Sequence, residues 1–176
     1  MHELAGHCPA IVVSGEASHA DLERRLSESS TLAFRVAYGV LRHREDAEDV
    51  AQEALTRAFR AFGSLRDPER FRPWLVRIAW RLALDRQRAD RRRLRREQAA
   101  IDLAPPDVEQ LAAADEFEER VWRAVDALPE KLRLVVVLAA MQGHDMREVA
   151  RLLGVREGTV KSRLFAARRR LAAGLR

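Results

Sequence analysis

The sequence predicts an all-α protein of two small helical domains joined by a flexible linker, and three observations carry that reading. Apolar residues recur with helical period over nearly all of the chain beyond residue 20. Ala, Leu, Arg and Glu dominate a composition with only 6% aromatics, and these residues enter helices at low cost. The stretch around Pro105-Pro106 breaks the periodicity and divides the chain. The resulting boundaries are an arm over 1–20, a first domain over 21–94, an acidic linker over 95–115 and a second domain over 116–176. With 176 residues and 47% hydrophobic content, the chain has enough apolar surface for a core in each domain.

The arm contains Gly6, Pro9 and Gly15 and reads as poorly ordered. From Asp21 to Leu41 a helix is expected, bent around Ser27–Thr31. Arg44 to Phe62 is the most amphipathic segment, with Ala47, Val50, Ala51, Ala54, Leu55, Ala58, Phe59 and Phe62 as its apolar stripe and Gly63 as its end. A turn at Asp67-Pro68 precedes a helix with Pro73 in its first turn, running to about Arg92. In the second domain Phe117–Ala127 and Pro129–Gly143 read as helices. The run Val135–Val137 belongs to the latter because Leu132, Val135, Val136 and Ala139 keep the helical spacing. Met146, Val149, Ala150, Leu152 and Leu153 then form one helical stripe, Gly154 supplies a residue tolerant of positive φ, and Val155 plugs the turn. Val160, Leu164, Ala167 and Leu171 give the next helix its inward stripe, completing a helix-turn-helix.

Three polar faces follow from these helices at about 100° per residue. Asp49, Gln52, Glu53 and Thr56 make one ridge on the second helix, which is either an ordinary solvated face or a docking surface. On the Pro73 helix, Arg77, Trp80, Arg81, Leu84 and Arg88 cluster opposite Leu75, Ile78, Leu82 and Ala89, while Trp74 falls on the core side. A tryptophan among cations suits stacking on unpaired bases beside phosphate contacts, or else covers a neighbouring helix. On the last helix Ser162, Phe165 and Arg169 project outward, flanked by Lys161 and Ala166, a cationic face with one bulky apolar group of the kind that reads a major groove.

The net charge of +5 suits a polyanionic partner. Its distribution is more telling, with Arg86–Arg96 and Lys161–Arg176 basic and Asp102–Glu119 acidic. The single cysteine, Cys8, excludes an internal disulfide and fits a reducing cytosol. His2, His7 and Cys8 lack a fourth ligand and a zinc-binding spacing. The longest apolar run, Leu134–Met141, is too short to span a bilayer, and the N-terminus lacks the basic and apolar regions of a signal peptide, so a cytoplasmic protein without membrane insertion is expected. No nucleophile–base pair, metal cluster or glycine-rich phosphate loop emerges, so no enzyme activity, catalytic residue, metal or cofactor is expected.

Three motifs in order, Asp46-Ala47-Glu48-Asp49-Val50-Ala51-Gln52-Glu53, then Phe71-Arg72-Pro73-Trp74-Leu75-Val76-Arg77-Ile78-Ala79, then Gly158-Thr159-Val160-Lys161-Ser162-Arg163-Leu164, resemble the extracytoplasmic-function group of bacterial RNA polymerase sigma factors, the two-domain members of the sigma-70 family. The resemblance covers about Asp21 to Leu175. It implies that Asp49, Gln52, Glu53 and Thr56 bind core RNA polymerase at the β′ clamp helices. It also implies that Arg77, Trp80, Arg81, Arg88 and the loop Gly63–Arg72 hold the single-stranded minus-10 element. Lys161, Ser162 and Phe165 would enter the minus-35 major groove, with Arg163, Arg168 and Arg169 on phosphates. The further partners it implies are the β flap, promoter DNA and an anti-sigma factor, the free protein being a monomer. Three positions depart from the family pattern: Arg81 replaces a common Asn, Arg156 stands at an N-cap that Ser or Thr would fill, and Ala166 replaces a common Arg. Competing readings are a helix-turn-helix regulator with a helical sensor domain, which leaves the basic face of the first domain unexplained, and a helical adaptor.

Overall fold

The computed structural model describes residues 15–100, 113–141 and 143–175, and among these it contains helices and turns but no strand. Residues 1–14 of the expected arm, with His2, His7 and Cys8, and the Pro105-Pro106 part of the linker lie outside the described residues.

The first helix, α1 (Gly15–Leu41), starts six residues before the expected Asp21 and runs without a break through the serine tract. Ser30 Oγ donates to the Ser27 carbonyl at 2.9 Å, so its hydroxyl is satisfied inside the helix and offers the backbone no competing turn. Leu22, Leu32, Ala33, Val36, Ala37 and Val40 form its buried face. The helix ends at Arg42, whose φ of 58° lies in the left-handed region usually left to glycine. Antiparallel α2 (Arg44–Ala61) begins two residues later. Its buried residues are Ala47, Val50, Ala51, Ala54 and Ala58, and this small-residue face lets α2 approach α1 and α3 closely. Phe59, expected in that stripe, is 45% exposed, because the alanines fill the space between the helices and leave no room for its ring.

Two short 3₁₀ turns, Phe62–Ser64 and Pro68–Arg70, lead to α3 (Phe71–Ala100). Asp67 sets the second turn by accepting the Glu69 N–H at 3.0 Å. Pro73 sits in the first turn of α3 as expected, where its missing N–H costs nothing. The helix continues eight residues past Arg92 and takes over the start of the expected linker, supported by a pair one turn apart, Arg93 to Glu97 at 3.3 Å. Phe71 is buried and meets Phe62 and Trp74 edge-on, at centroid distances of 5.9 and 6.1 Å. Trp74 packs against the core, as its position on the wheel predicts.

The second unit comprises α4 (Ala113–Asp126), α5 (Glu130–Val136) with a π-helical turn over Val137–Met141, α6 (Met146–Leu153) and α7 (Glu157–Gly174). Val135, Val137 and Leu138 are fully buried, which keeps this β-branched run helical against its own propensity. The helix-turn-helix has a well-defined corner. Gly154 adopts φ 64°, ψ 38°, its N–H reaches the Arg151 carbonyl at 3.2 Å, and the Val155 N–H reaches the Ala150 carbonyl at 3.0 Å. Asp145 caps α6 by accepting the Glu148 N–H at 2.7 Å, whereas Arg156 gives α7 no side-chain cap, as its residue type predicts.

The two units are packed together instead of standing apart. One apolar cluster runs from Leu22 through Val36, Leu75 and Trp80 to Val135, Val137, Val149 and Val160, so α1 and α3 share a core with the helix-turn-helix unit. Gly39 makes this possible on α1. A Cβ at that position would fall 2.5 Å from Val137 Cγ1, so only glycine admits the Val137 side chain there.

Candidate polymerase and nucleic-acid interfaces

The α2 ridge forms as expected. Asp49, Gln52, Glu53 and Thr56 are all exposed, because the alanine face opposite them is buried against the rest of the bundle. Glu53 pairs with Arg57 one turn on, while Asp49 has no partner among the described residues. Beside the ridge lies a groove of about 350 Å³ between α1 and α2, lined by Ser30, Thr31, Phe34, Glu48, Gln52 and Leu55. Sequence periodicity finds the ridge but misses Ser30, Thr31 and Phe34, because they belong to another helix and only tertiary packing sets them alongside.

The α3 face divides. Arg77, Arg81 and Arg88 are exposed, as expected. Trp80 is not: it is 2% exposed, and Leu84 is 3% exposed. The reading of Trp80 as an open stacking surface is therefore corrected for this arrangement, and the physical reason is the second unit. Trp80 Nε1 donates to Glu130 Oε1 at 3.0 Å, and the Arg133 guanidinium lies over the indole at 5.4 Å. The indole thus keeps both a hydrogen bond and a cation, but an internal carboxylate and an internal arginine supply them.

Around this contact the two units are joined by a charged cluster centred on Asp126. Its carboxylate accepts from Arg42 at 2.7 and 3.4 Å, from Arg91 at 2.7 Å and from Arg133 at 3.2 Å. Gln87 ties the cluster to α1 by donating to the Val40 carbonyl at 3.1 Å, and it accepts from Arg133 at 3.3 Å. Arg42 also stacks on Trp122, 4.7 Å from the ring centroid. These two contacts account for an arginine in the left-handed conformation, a strain of about 1–2 kcal/mol. Burial pushes the Arg133 guanidinium below its usual pKa, Asp126 opposes that shift, and the neighbouring Arg91 and Arg42 add to it. Arg133 Nε is left without an acceptor. A second crossing joins Arg72 to Glu148 at 3.5 Å, beside a cleft of about 530 Å³ that Arg70, Arg77 and Arg151 also line. None of Asp126, Glu130 and Arg133 was a candidate from sequence. The one signal was Arg133 itself, a cation inside the apolar run Leu132–Leu138.

The helix-turn-helix face stands open. Lys161, Ser162, Phe165, Arg168 and Arg169 are exposed on α7, and Phe165 shows 65% of its surface. Arg163 is half-buried and, two residues on from Lys161, lies about 200° round the helix, beyond the edge of that face. Ser162 Oγ donates to the Thr159 carbonyl at 3.0 Å, leaving its lone pairs to accept, and Lys161 is held by Glu157 at 3.4 Å. Met146, expected in the inward stripe of α6, is 40% exposed beside this face. It is the first residue of the helix, so no preceding turn covers it. Among the described residues no group of His, Cys, Asp and Glu could hold a metal ion, and no helix is long and apolar enough to cross a membrane.

Comparison with known proteins identifies the family. Residues 27–93 match the sigma-70 region 2 family, and residues 118–171 match sigma-70, region 4. The chain is 38% identical over 184 residues to the ECF RNA polymerase sigma factor SigM of Mycobacterium tuberculosis, covering 95% of this chain and 90% of that one. It is 34% identical over 136 residues to the ECF RNA polymerase sigma-E factor of Escherichia coli K12, covering 70% of each. Among solved structures, the fold resembles CnrH in complex with the cytosolic domain of CnrY, with TM-score 0.56, 24% identity, and 89% of this chain and 92% of that chain covered. It also resembles the sigma factor RpoE of Bartonella quintana in complex with the anti-sigma factor NepR, with TM-score 0.55, 22% identity, and 88% and 96% covered. With both sigma regions matched in order on an all-helical chain, the protein belongs to the extracytoplasmic-function sigma factors of the sigma-70 family and is an RNA polymerase sigma factor.

Proposed function

We propose that the three surfaces divide the work of initiation. The α2 ridge of Asp49, Gln52, Glu53 and Thr56, with its groove, docks the β′ clamp helices of core polymerase, and the second unit meets the β flap. Arg77, Arg81 and Arg88 hold the phosphates of the single-stranded minus-10 element. Lys161, Ser162 and Phe165 read the minus-35 major groove, with Arg163, Arg168 and Arg169 on its backbone. The protein makes and breaks no bond itself; it acts in the cytoplasm by positioning polymerase and favouring melted DNA. The observation that carries this reading is the open cationic face of α7 around Phe165, mounted on a complete helix-turn-helix.

Stacking of Trp80 on a minus-10 base requires the seam to part, because Glu130 and Arg133 now occupy its edge and face. The Asp126 cluster thus holds a closed arrangement, and an anti-sigma factor spanning both units would act by keeping it closed instead of changing any chemistry. That the related sigma factor structures contain anti-sigma partners supports such a partner for this chain.

Purified protein added to core polymerase is expected to direct start-site-specific transcription. Asp49→Lys combined with Glu53→Lys should lower polymerase affinity at least a hundredfold while circular dichroism stays native, since both side chains are exposed. Undiminished affinity in that variant would refute the docking assignment.

A further inference from the structure

Met146 and Phe165 line one notch of about 370 Å³, with half-buried Leu164 also on its wall and Lys161 and Arg168 completing it. Their exposures, 40% and 65%, stand out on an otherwise cationic face. Single exposed apolar side chains are ordinary on protein surfaces, but two lining one hollow among cations form an apolar site inside an anion-binding surface. Met146 is presented from a fixed position. It opens α6 directly after Asp145, whose carboxylate holds the Glu148 N–H at 2.7 Å. Its thioether is flexible and polarizable, suited to contact with a flat ring edge. The major groove of DNA displays one apolar group, the 5-methyl of thymine, and places it among acceptors and phosphates that Lys161 and Arg168 complement.

We propose that Met146 is a specificity-determining residue of minus-35 recognition, forming with Phe165 a notch that receives the 5-methyl group of a thymine. The inference rests on the reading of α7 as the minus-35 helix and extends base recognition to the first residue of α6.

The test uses holoenzyme reconstituted with core polymerase and a duplex promoter that it selects, each minus-35 thymine on either strand being replaced in turn by deoxyuridine. This change deletes the methyl group and keeps every hydrogen-bonding group. Affinity is expected to fall about fourfold at one thymine, the worth of one buried methyl. Met146→Ala and Phe165→Ala should bind the thymine and uracil forms alike, Met146→Leu should keep the difference, and Arg168→Ala should weaken both forms equally. Equal binding at every position, a selected element with no thymine, or a Met146→Ala variant that still prefers thymine overturns the proposal. A holoenzyme that selects no promoter refutes the proposed function instead, so the two failures are distinct.

Discussion

Trp80 on α3 and Phe165 on α7 look alike in sequence, each an aromatic among arginines on the polar side of an amphipathic helix, yet one is 2% exposed and the other 65%. What separates them lies elsewhere in the chain. Trp80 meets Glu130 and Arg133, fifty and fifty-three residues further on, within a cluster where Asp126 gathers three guanidinium groups. Among the described residues no carboxylate gathers the cations beside Phe165 in the same way; Lys161 is paired singly, with Glu157. A cationic helix face bearing an aromatic therefore marks a surface that needs a partner, and whether that partner is nucleic acid or another part of the protein depends on where the counter-charges fall.

The largest test of this contrast is stability. Trp80→Ala removes a buried ring, leaves Glu130 without its donor and strips Arg133 of its stacking surface, so urea denaturation should show a loss of roughly 3–5 kcal/mol. Phe165→Ala removes an exposed ring and should stay within about 0.5 kcal/mol of the parent. Similar losses in the two variants would erase the distinction between seam and open face.

Local signals made much of the architecture readable in advance. Helical spacing located the α2 ridge and the inward stripe Val160, Leu164, Ala167 and Leu171, and Gly154 with Val155 marked the corner between α6 and α7. The failures have physical causes of two kinds. Helix ends escaped periodicity: α3 runs on to Ala100 through residues of good helix propensity, and Met146, as the first residue of α6, has no preceding turn to bury it. Long-range pairings escaped it entirely. Trp80 sits on the polar side of α3 by the wheel but is covered by Glu130 and Arg133, and Arg42 adopts a glycine-like backbone that only its bonds to Asp126 and Trp122 explain. The candidate sites were thus legible where one helix builds them, on α2 and α7, and misread where two units share one.

A second experiment isolates the seam without touching charge. In helix propensity alone, Gly39→Ala would stabilise α1 by up to about 1 kcal/mol. Because the new Cβ would lie 2.5 Å from Val137 Cγ1, a net loss of about 1–3 kcal/mol is expected instead. Adding Val137→Ala should recover part of that loss beyond the sum of the single changes, so the double-mutant cycle reads the contact directly. Additive effects would place the two side chains apart and deny that the units pack at this point.

The smallest expected effect concerns how the open face is held. Across α6 and α7 a partly exposed carboxylate, Glu157, pairs with Arg147 at 3.8 Å and with Lys161 at 3.4 Å, a looser brace than the Asp126 cluster at the seam, and α6 itself begins on the Asp145 cap. The Glu148 N–H holds the Asp145 carboxyl below its usual pKa; desolvation opposes it, and the Arg147 N–H and the nearby Arg151 and Arg147 charges add to the lowering. A group depressed in the folded state binds protons more readily when unfolded. Its stabilising effect is therefore complete above the ordinary carboxylate value near 3.9 and is lost as pH falls through the lower folded value. Thermal melts of the parent and of Asp145→Asn should then differ in slope only in acid. The parent should lose stability more steeply below about pH 4, while Asn keeps a capping oxygen without a titrating proton. Superimposable slopes for the two proteins across that range would mean that the cap ahead of Met146 gains nothing from the ionised form of Asp145.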